Sequence, residues 1–135
     1  MKKLYIVFFC LFLLGSCKKT VEKIAQDLVV DAMTSGQWKI THFTQNGTDI
    51  TANFATYTFQ YYKNKTVDAI NNGTPERTGT WDGDAATMTT WASFIGAPNP
   101  IALLNGSWHI TNNSWTFVEA TQTVGTEVKT MRLEK

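Results

Sequence analysis

Catalytic motifs and an excess of charge of one sign are both missing from this sequence. Its 135 residues include 12 basic and 11 acidic side chains, without the basic stripe that binds nucleic-acid phosphates. The two histidines, His42 and His109, have no nearby cysteine or paired carboxylates, and no nucleophile elbow, metalloprotease helix or phosphate-binding glycine loop is present. We therefore expect a protein that is not an enzyme and that takes no cofactor, metal or nucleic acid.

Cysteine is scarce, and no apolar run is long enough to span a bilayer as a stable helix. The longest run, residues 4–14, has the length of the apolar core of an export signal, and Lys2 and Lys3 precede it as a basic flank. Cys10 lies inside this run and would be removed with it, which leaves Cys17 without a partner. The mature chain is therefore expected to contain no disulfide and to be held together by core burial.

The segment after the apolar run resembles the lipobox of bacterial lipoproteins. Leu14, Gly15 and Ser16 precede Cys17, and in that family the cysteine receives a diacylglyceryl group and becomes the new N-terminus. The resemblance implies a signal peptide over residues 1–16, lipidation of Cys17 with acyl chains such as palmitate, and membrane lipid as a partner. Lys18 replaces the aspartate associated with inner-membrane retention in some bacteria, which favours a lipid-anchored location in the cell envelope at the outer membrane. The alternative is an ordinary secretory signal with a chance cysteine.

Residues 17–35 are predicted to form a lipidated tether that continues as an amphipathic helix. Seven apolar side chains recur at helical spacing, and charged and amide side chains lie largely opposite them. The seven are Val21, Ile24, Ala25, Leu28, Val29, Ala32 and Met33. Thr20 is the expected N-cap and Gly36 the expected stop. We expect the apolar stripe to pack on the following domain; a membrane-surface helix or a lid is the alternative.

From Gly36 the pattern is typical of an all-β domain. Threonine and aromatic residues dominate, and turn-forming pairs such as Asn46-Gly47 recur between short alternating runs. The predicted strands are residues 37–44, 55–62, 66–71, 76–81, 87–93, 107–111, 114–121 and 126–133. Because short connections join consecutive strands, we predict one domain over residues 36–135, an eight-stranded antiparallel up-and-down barrel. A two-sheet sandwich is the alternative.

The start of the first predicted strand resembles the lipocalin signature. Gly36 and Trp38 match the Gly-x-Trp triplet that opens the lipocalin barrel, and lipocalins also place an arginine over this tryptophan near the end of the barrel. The resemblance implies a lipocalin-like, calycin-type barrel in which Gly36, Trp38 and Arg132 close the structure. We expect Met131 and Leu133 to pack outward against the helix so that Arg132 reaches Trp38. In the alternative, the two apolar residues point inward and Arg132 is solvated.

Aromatic side chains are the main candidates for a binding site. Tyr57, Phe59 and Tyr61 alternate along one predicted strand, and Trp91 lies on another. They could line an apolar pocket, or fill the core of a domain without disulfides. We predict a membrane-anchored envelope lipoprotein whose barrel binds a small hydrophobic or amphipathic ligand through these four residues. The alternative is a filled barrel that acts as a structural or protein-interaction lipoprotein, with an envelope protein, or a protease that it inhibits, as its partner.

Overall fold

The structure, a computed structural model, consists of one N-terminal helix followed by an antiparallel β domain. It describes residues 2–135, with side chains from Lys18 onward. The helix α1 spans Lys2–Thr34. The strands are β1 (Lys39–Gln45), β2 (Thr48–Asp49), β3 (Tyr57–Tyr61), β4 (Thr66–Asn71), β5 (Thr74–Asp84), β6 (Thr89–Ser93), β7 (Gly106–Asn113), β8 (Phe117–Val124) and β9 (Glu127–Glu134). Two short 3-10 helices, η1 (Thr51–Phe54) and η2 (Ile101–Leu104), precede β3 and β7.

All nine strands form a single curled sheet that remains open. Their order is β2-β1-β9-β8-β7-β6-β5-β4-β3, so β2 and β3 are the two edges. The two sides of the opening meet at one antiparallel bridge between Trp38 and Phe59. The Trp38 N–H donates to Phe59 O at 2.9 Å, and the Phe59 N–H donates to Trp38 O at 2.8 Å. The architecture is therefore a half-barrel joined at one point.

The predicted closed barrel of eight strands is wrong, although all eight predicted strands are present. The chain adds the two-residue strand β2, which pairs only with the end of β1, and then turns into η1. The Phe43 N–H donates to Thr51 Oγ1 at 2.9 Å, and Phe43 O accepts from the Ile50 N–H at 2.9 Å. Because these edge groups of β1 are already satisfied, the ladder cannot continue from the Trp38 bridge into full pairing with β3.

The concave face of the sheet carries the core. Its largest fully buried side chains are Trp38, Trp81, Trp108, Phe43, Phe54, Phe59, Ile101 and Val67. Met131 and Leu133 belong to this core, with 8% and 4% of their surface exposed, so the expectation that they face outward is wrong. The physical reason is the position of α1: it crosses one end of the half-barrel instead of covering the outer face of β9, and that outer face needs no apolar side chains.

The helix α1 ends as predicted but begins earlier. Gly36 has φ +86°, the left-handed conformation that commonly follows a helix C-terminus, two residues after Thr34. The helix runs without interruption from Lys2, so Thr20 lies inside it and is not an N-cap. In the part of the chain whose side chains are described, no helix combines the length and the apolar content needed to cross a membrane.

Gly79 marks a close approach of β5 to the end of β6. A Cβ at this position would lie 2.5 Å from Ser93 O and 2.7 Å from Phe94 Cδ1. The first atom is backbone, and the Phe94 ring is buried with 2% exposure, so neither can shift without disturbing its own neighbours. The two strands can therefore pack at this distance only with glycine here.

We expect Gly79→Ala to lower the free energy of unfolding by about 1–3 kcal/mol, the usual cost of an overpacked core. Urea denaturation followed by fluorescence measures the change. Gly83→Ala in the same strand is the control, because a Cβ there would meet only ordinary contacts, the nearest being Val29 Cγ1 at 3.5 Å. Equal effects of the two substitutions would contradict the close-packing account.

Candidate ligand cavity beneath the N-terminal helix

A cavity of about 430 Å³ lies between α1 and the concave face of the sheet. The helix supplies Ala25, Leu28, Val29, Ala32 and Met33 to its wall. The floor is formed by large side chains of the sheet and of η2, namely Trp38, Phe59, Trp81, Phe94, Leu104 and Trp108. The cavity is therefore predominantly apolar, with the helix as a lid over one end of the half-barrel.

Three tryptophans form the most distinctive part of the floor. Each indole N–H donates to a backbone carbonyl: Trp38 to Met33 O at 2.9 Å, Trp81 to Tyr62 O at 3.1 Å, and Trp108 to Leu104 O at 2.9 Å. Because their only polar groups are already satisfied, these rings contribute apolar surface to the cavity. The Trp38 N–H also supplies a donor to one of the carbonyl groups that a helix C-terminus leaves without an intrahelical partner.

Polar contacts fix the helix over the end of the half-barrel. Gln26 Nε2 donates to Gly83 O at 2.5 Å, and the Ala85 N–H donates to Gln26 Oε1 at 2.9 Å, so one amide side chain satisfies two backbone groups at the end of β5. Near the other end of the helix, Lys63 Nζ lies 3.1 Å from Asp31 Oδ1. The lid is thus held to two different strand ends, in addition to the Trp38 bond.

The cavity opens to solvent at one side of the helix. Four large apolar residues both line it and remain exposed: Leu28 (49%), Met88 (36%), Trp91 (40%) and Trp115 (54%). We call these four residues the mouth. Leu28 comes from the lid, whereas Met88 and Trp115 belong to the turns that follow β5 and β7 and Trp91 belongs to β6. Every side chain of the mouth is apolar or aromatic. The exposed polar residues Asp84, Asn113 and Ser114 also line the cavity, so an entering molecule meets apolar surface with one carboxylate beside it.

Tyr61 adds a polar group to this apolar wall. Its ring meets the edge of Trp81 at a centroid distance of 5.3 Å, and burial raises the pKa of its hydroxyl well above the usual value. Among the described residues no hydrogen bond to this hydroxyl is formed. The Tyr61 hydroxyl is therefore neutral.

The four residues predicted to bind a ligand do not all reach the cavity. Phe59, Tyr61 and Trp91 line it. Tyr57 does not: its hydroxyl donates to Glu76 Oε2 at 2.6 Å, and its ring stacks on Phe59 with the centroids 6.4 Å apart. Alternation along β3 correctly groups these side chains on one face, but it carries no information about depth, and Tyr57 lies at the strand end far from the helix.

Several lining residues are not among the four predicted ligand-binding residues. Trp115 and Met88 lie in turns, and the helix contributes small and branched side chains whose spacing was assigned to packing on the domain. The sequence feature that could have identified the helix residues is the apolar stripe of α1, read under the alternative that the helix is a lid. Part of the stripe does face the sheet, whereas Val21, Ile24 and Leu28 remain exposed at 66%, 55% and 49%.

The predicted contact between Arg132 and Trp38 is absent. The Arg132 guanidinium faces outward and bonds to Glu134 Oε1 at 2.6 Å and to Glu119 Oε1, and these hydrogen bonds raise its pKa. Its place is taken by Lys135, whose Nζ lies 4.9 Å from the centroid of the Trp38 ring. A cation does cover the tryptophan, but it comes from the residue after β9. Gly36 retains its structural position at the end of α1.

Cys17 lies outside the residues whose side chains are described, so its lipidation stays a prediction. The same holds for the signal peptide over residues 1–16 and for the division of the chain at residues 17–35 and 36–135.

Comparison with known proteins supports the fold and goes no further. No family model matches the chain, and no curated protein matches it. A solved structure that is similar to it is the crystal structure of a DUF4847 family protein from Bacteroides vulgatus. The sequence identity is 14%, the match covers 78% of this chain and 96% of that chain, and the TM-score is 0.56. At this identity the likeness shows a shared curled antiparallel sheet, a β-barrel-like fold, and the lipocalin resemblance stays a prediction.

We expect Gln26→Ala to lower the free energy of unfolding by about 1–2 kcal/mol, because the Gly83 carbonyl and the Ala85 N–H both lose their partner. Urea denaturation measures the loss. Lys23→Ala is the control on the same helix, since Lys23 is exposed and forms no hydrogen bond or ion pair among the described residues. If Gln26→Ala has no larger effect than Lys23→Ala, the helix is not part of the cooperative fold.

Proposed function

We propose that this chain is a lipid-anchored envelope protein that binds a small hydrophobic or amphipathic molecule in the cavity beneath α1. The observation that carries the proposal is the cavity itself. Its volume of about 430 Å³ falls within the range of about 300–1,000 Å³ that is typical of small-molecule sites. Its wall is mainly apolar and aromatic with few polar groups, which is the usual composition of such sites.

The distribution of the aromatic side chains favours a binding protein over a filled structural barrel. Phe43 and Phe54 fill the half-barrel beyond the cavity, with ring centroids 4.8 Å apart. The tryptophans of the floor line the cavity and belong to the core as well, with at most 2% of their surface exposed. The domain thus has the bulky core that a chain without disulfides needs, and it still has unfilled apolar space.

Two further features support an amphipathic ligand and a lipocalin-like relationship. The lining includes a few polar residues, among them Tyr61, Asp84 and Asn113, that could bond to a polar head group, while most of the wall favours hydrocarbon. Trp38 follows the N-terminal helix and is covered by a cation near the chain end, as the lipocalin pattern requires, although Lys135 replaces Arg132 in that role. The anchor rests on the lipobox-like residues that end at Cys17, and the proposal of an outer-membrane location rests on Lys18 after it.

Filling the cavity tests the function. Ala32→Phe places a ring in the cavity wall without removing any existing contact, and we expect it to weaken the binding of dodecanoate at least about tenfold, or 1.4 kcal/mol. Isothermal titration calorimetry on the chain from residue 18 onward measures the affinity, after circular dichroism has established that both proteins are folded. The matched control is Ala52→Phe, which adds the same ring to an exposed position in η1.

The proposal is wrong if the folded wild-type chain binds neither dodecanoate nor an uncharged analogue such as dodecanol. It is equally contradicted if Ala32→Phe and Ala52→Phe bind with the same affinity as the wild type, because the ligand would then occupy another surface.

A further inference from the structure

Exposed apolar side chains are concentrated where the cavity opens. The mouth combines two tryptophans with Leu28 and Met88, all at least 36% exposed. Contiguous apolar surface of this kind usually marks a site of interaction with a protein or a membrane. Tryptophan is in addition the side chain best suited to a boundary between hydrocarbon and water. Ile95, Val124 and Val128 are also exposed, but they lie outside the cavity lining.

The apolar surface of the mouth continues along α1 towards the predicted anchor. Val21, Ile24 and Leu28 are spaced by three and four residues, so they form one stripe on the helix, and all three are exposed. Leu28 follows Cys17 by eleven residues, which is about 16 Å along a helix. Cys17 precedes Val21 at the same helical spacing, so exposed apolar surface leads from the mouth towards the proposed lipid attachment point.

The charges beside this stripe favour seating on hydrocarbon over attraction to an anionic surface. The exposed lysines Lys18, Lys19 and Lys23 are balanced by the exposed acids Glu22, Asp27 and Asp31 on the same helix. A helix that binds anionic lipid by charge usually carries an excess of lysine and arginine on its polar face. A bilayer of zwitterionic lipid is thus a sufficient partner for this surface.

We infer that the mouth end of the half-barrel sits on the membrane surface and that the cavity takes an acyl chain of a membrane lipid directly from the bilayer. The inference rests on the proposed binding of apolar molecules and on the anchor at Cys17. Val21, Ile24 and the mouth then contact the acyl region, while the opposite end of the half-barrel faces water. An acyl chain can reach the tryptophan floor without crossing the aqueous phase.

Brominated lipids test this orientation, because bromine quenches tryptophan only at close range. The acylated protein is isolated from its own membranes, its acylation is established by mass spectrometry, and it is reconstituted into phosphatidylcholine vesicles brominated on the acyl chains. We expect a loss of emission from Trp91 and Trp115. The variant Trp91→Phe/Trp115→Phe retains only the buried Trp38, Trp81 and Trp108. Their emission should also fall in brominated vesicles, because a brominated chain enters the cavity. Adding Ala32→Phe to this variant fills the cavity and should restore the emission of the three buried tryptophans.

Introducing a charged side chain into the mouth distinguishes a mouth that sits on the membrane from a domain that is only tethered to it. Leu28→Asp should reduce quenching of Trp91 and Trp115, whereas Val124→Asp, at an exposed apolar position at the end of β8, should leave it unchanged. Vesicle flotation controls for attachment, since the anchor holds both variants. Absence of quenching in the wild type, or equal quenching in both Asp variants, overturns the inference. The inference is also overturned if a protein bound to the chain in a fixed ratio shields the mouth in native membranes. Dodecanoate binding by the unanchored chain is measured separately, so the proposed function can stand when this inference fails.

Discussion

Trp38 is the residue on which the arrangement of helix and sheet depends. Its backbone forms both hydrogen bonds of the bridge to Phe59, where the two sides of the open sheet meet. Its indole N–H holds the Met33 carbonyl at the end of α1, and its ring is fully buried beneath the Lys135 ammonium. The side chain and the backbone of one residue therefore set the distance between the sheet edges and the position of the lid. Gly36 makes this possible, because its left-handed conformation lets the chain leave the helix and enter the sheet within a few residues.

The cavity is a consequence of this joint and of the incomplete ladder beyond it. A fully paired barrel of eight strands is filled by its own side chains or holds one small ligand. Here residues 50–54 occupy the gap beside β1, and the helix covers the end of the sheet instead of a continued ladder. The floor tryptophans satisfy their N–H groups on the backbone carbonyls of Met33, Tyr62 and Leu104, so they add no unpaired polar group to the space between floor and lid. The helix is thus as much a part of the proposed binding site as the strands are.

The sequence predicts the elements of this fold better than their closure. Turn-forming pairs and alternating aromatics place all eight main strands, and β4 has the predicted bounds, because these signals are local. Whether β1 pairs with β3 is decided by Thr51 and Ile50, whose bonds to Phe43 leave no local signature. Which side chains of β9 face the core was ambiguous for a related reason, because both faces of the strand carry residues that could be buried. Only the path of α1 across the end of the half-barrel decides that Met131 and Leu133 point inward. Tyr57 shows the same limit in the site, since alternation identifies a face but not a depth.

Hydrogen exchange at Trp38 tests most directly whether helix and sheet form one unit around the cavity. In the NMR spectrum of the full chain, the account predicts strong and similar protection of three protons, the Trp38 indole N–H and the backbone N–H groups of Trp38 and Phe59. All three would then exchange through the same opening of the structure. An indole N–H that exchanges freely while the two backbone N–H groups remain protected would contradict the account, because the bridge would then persist without the helix in place.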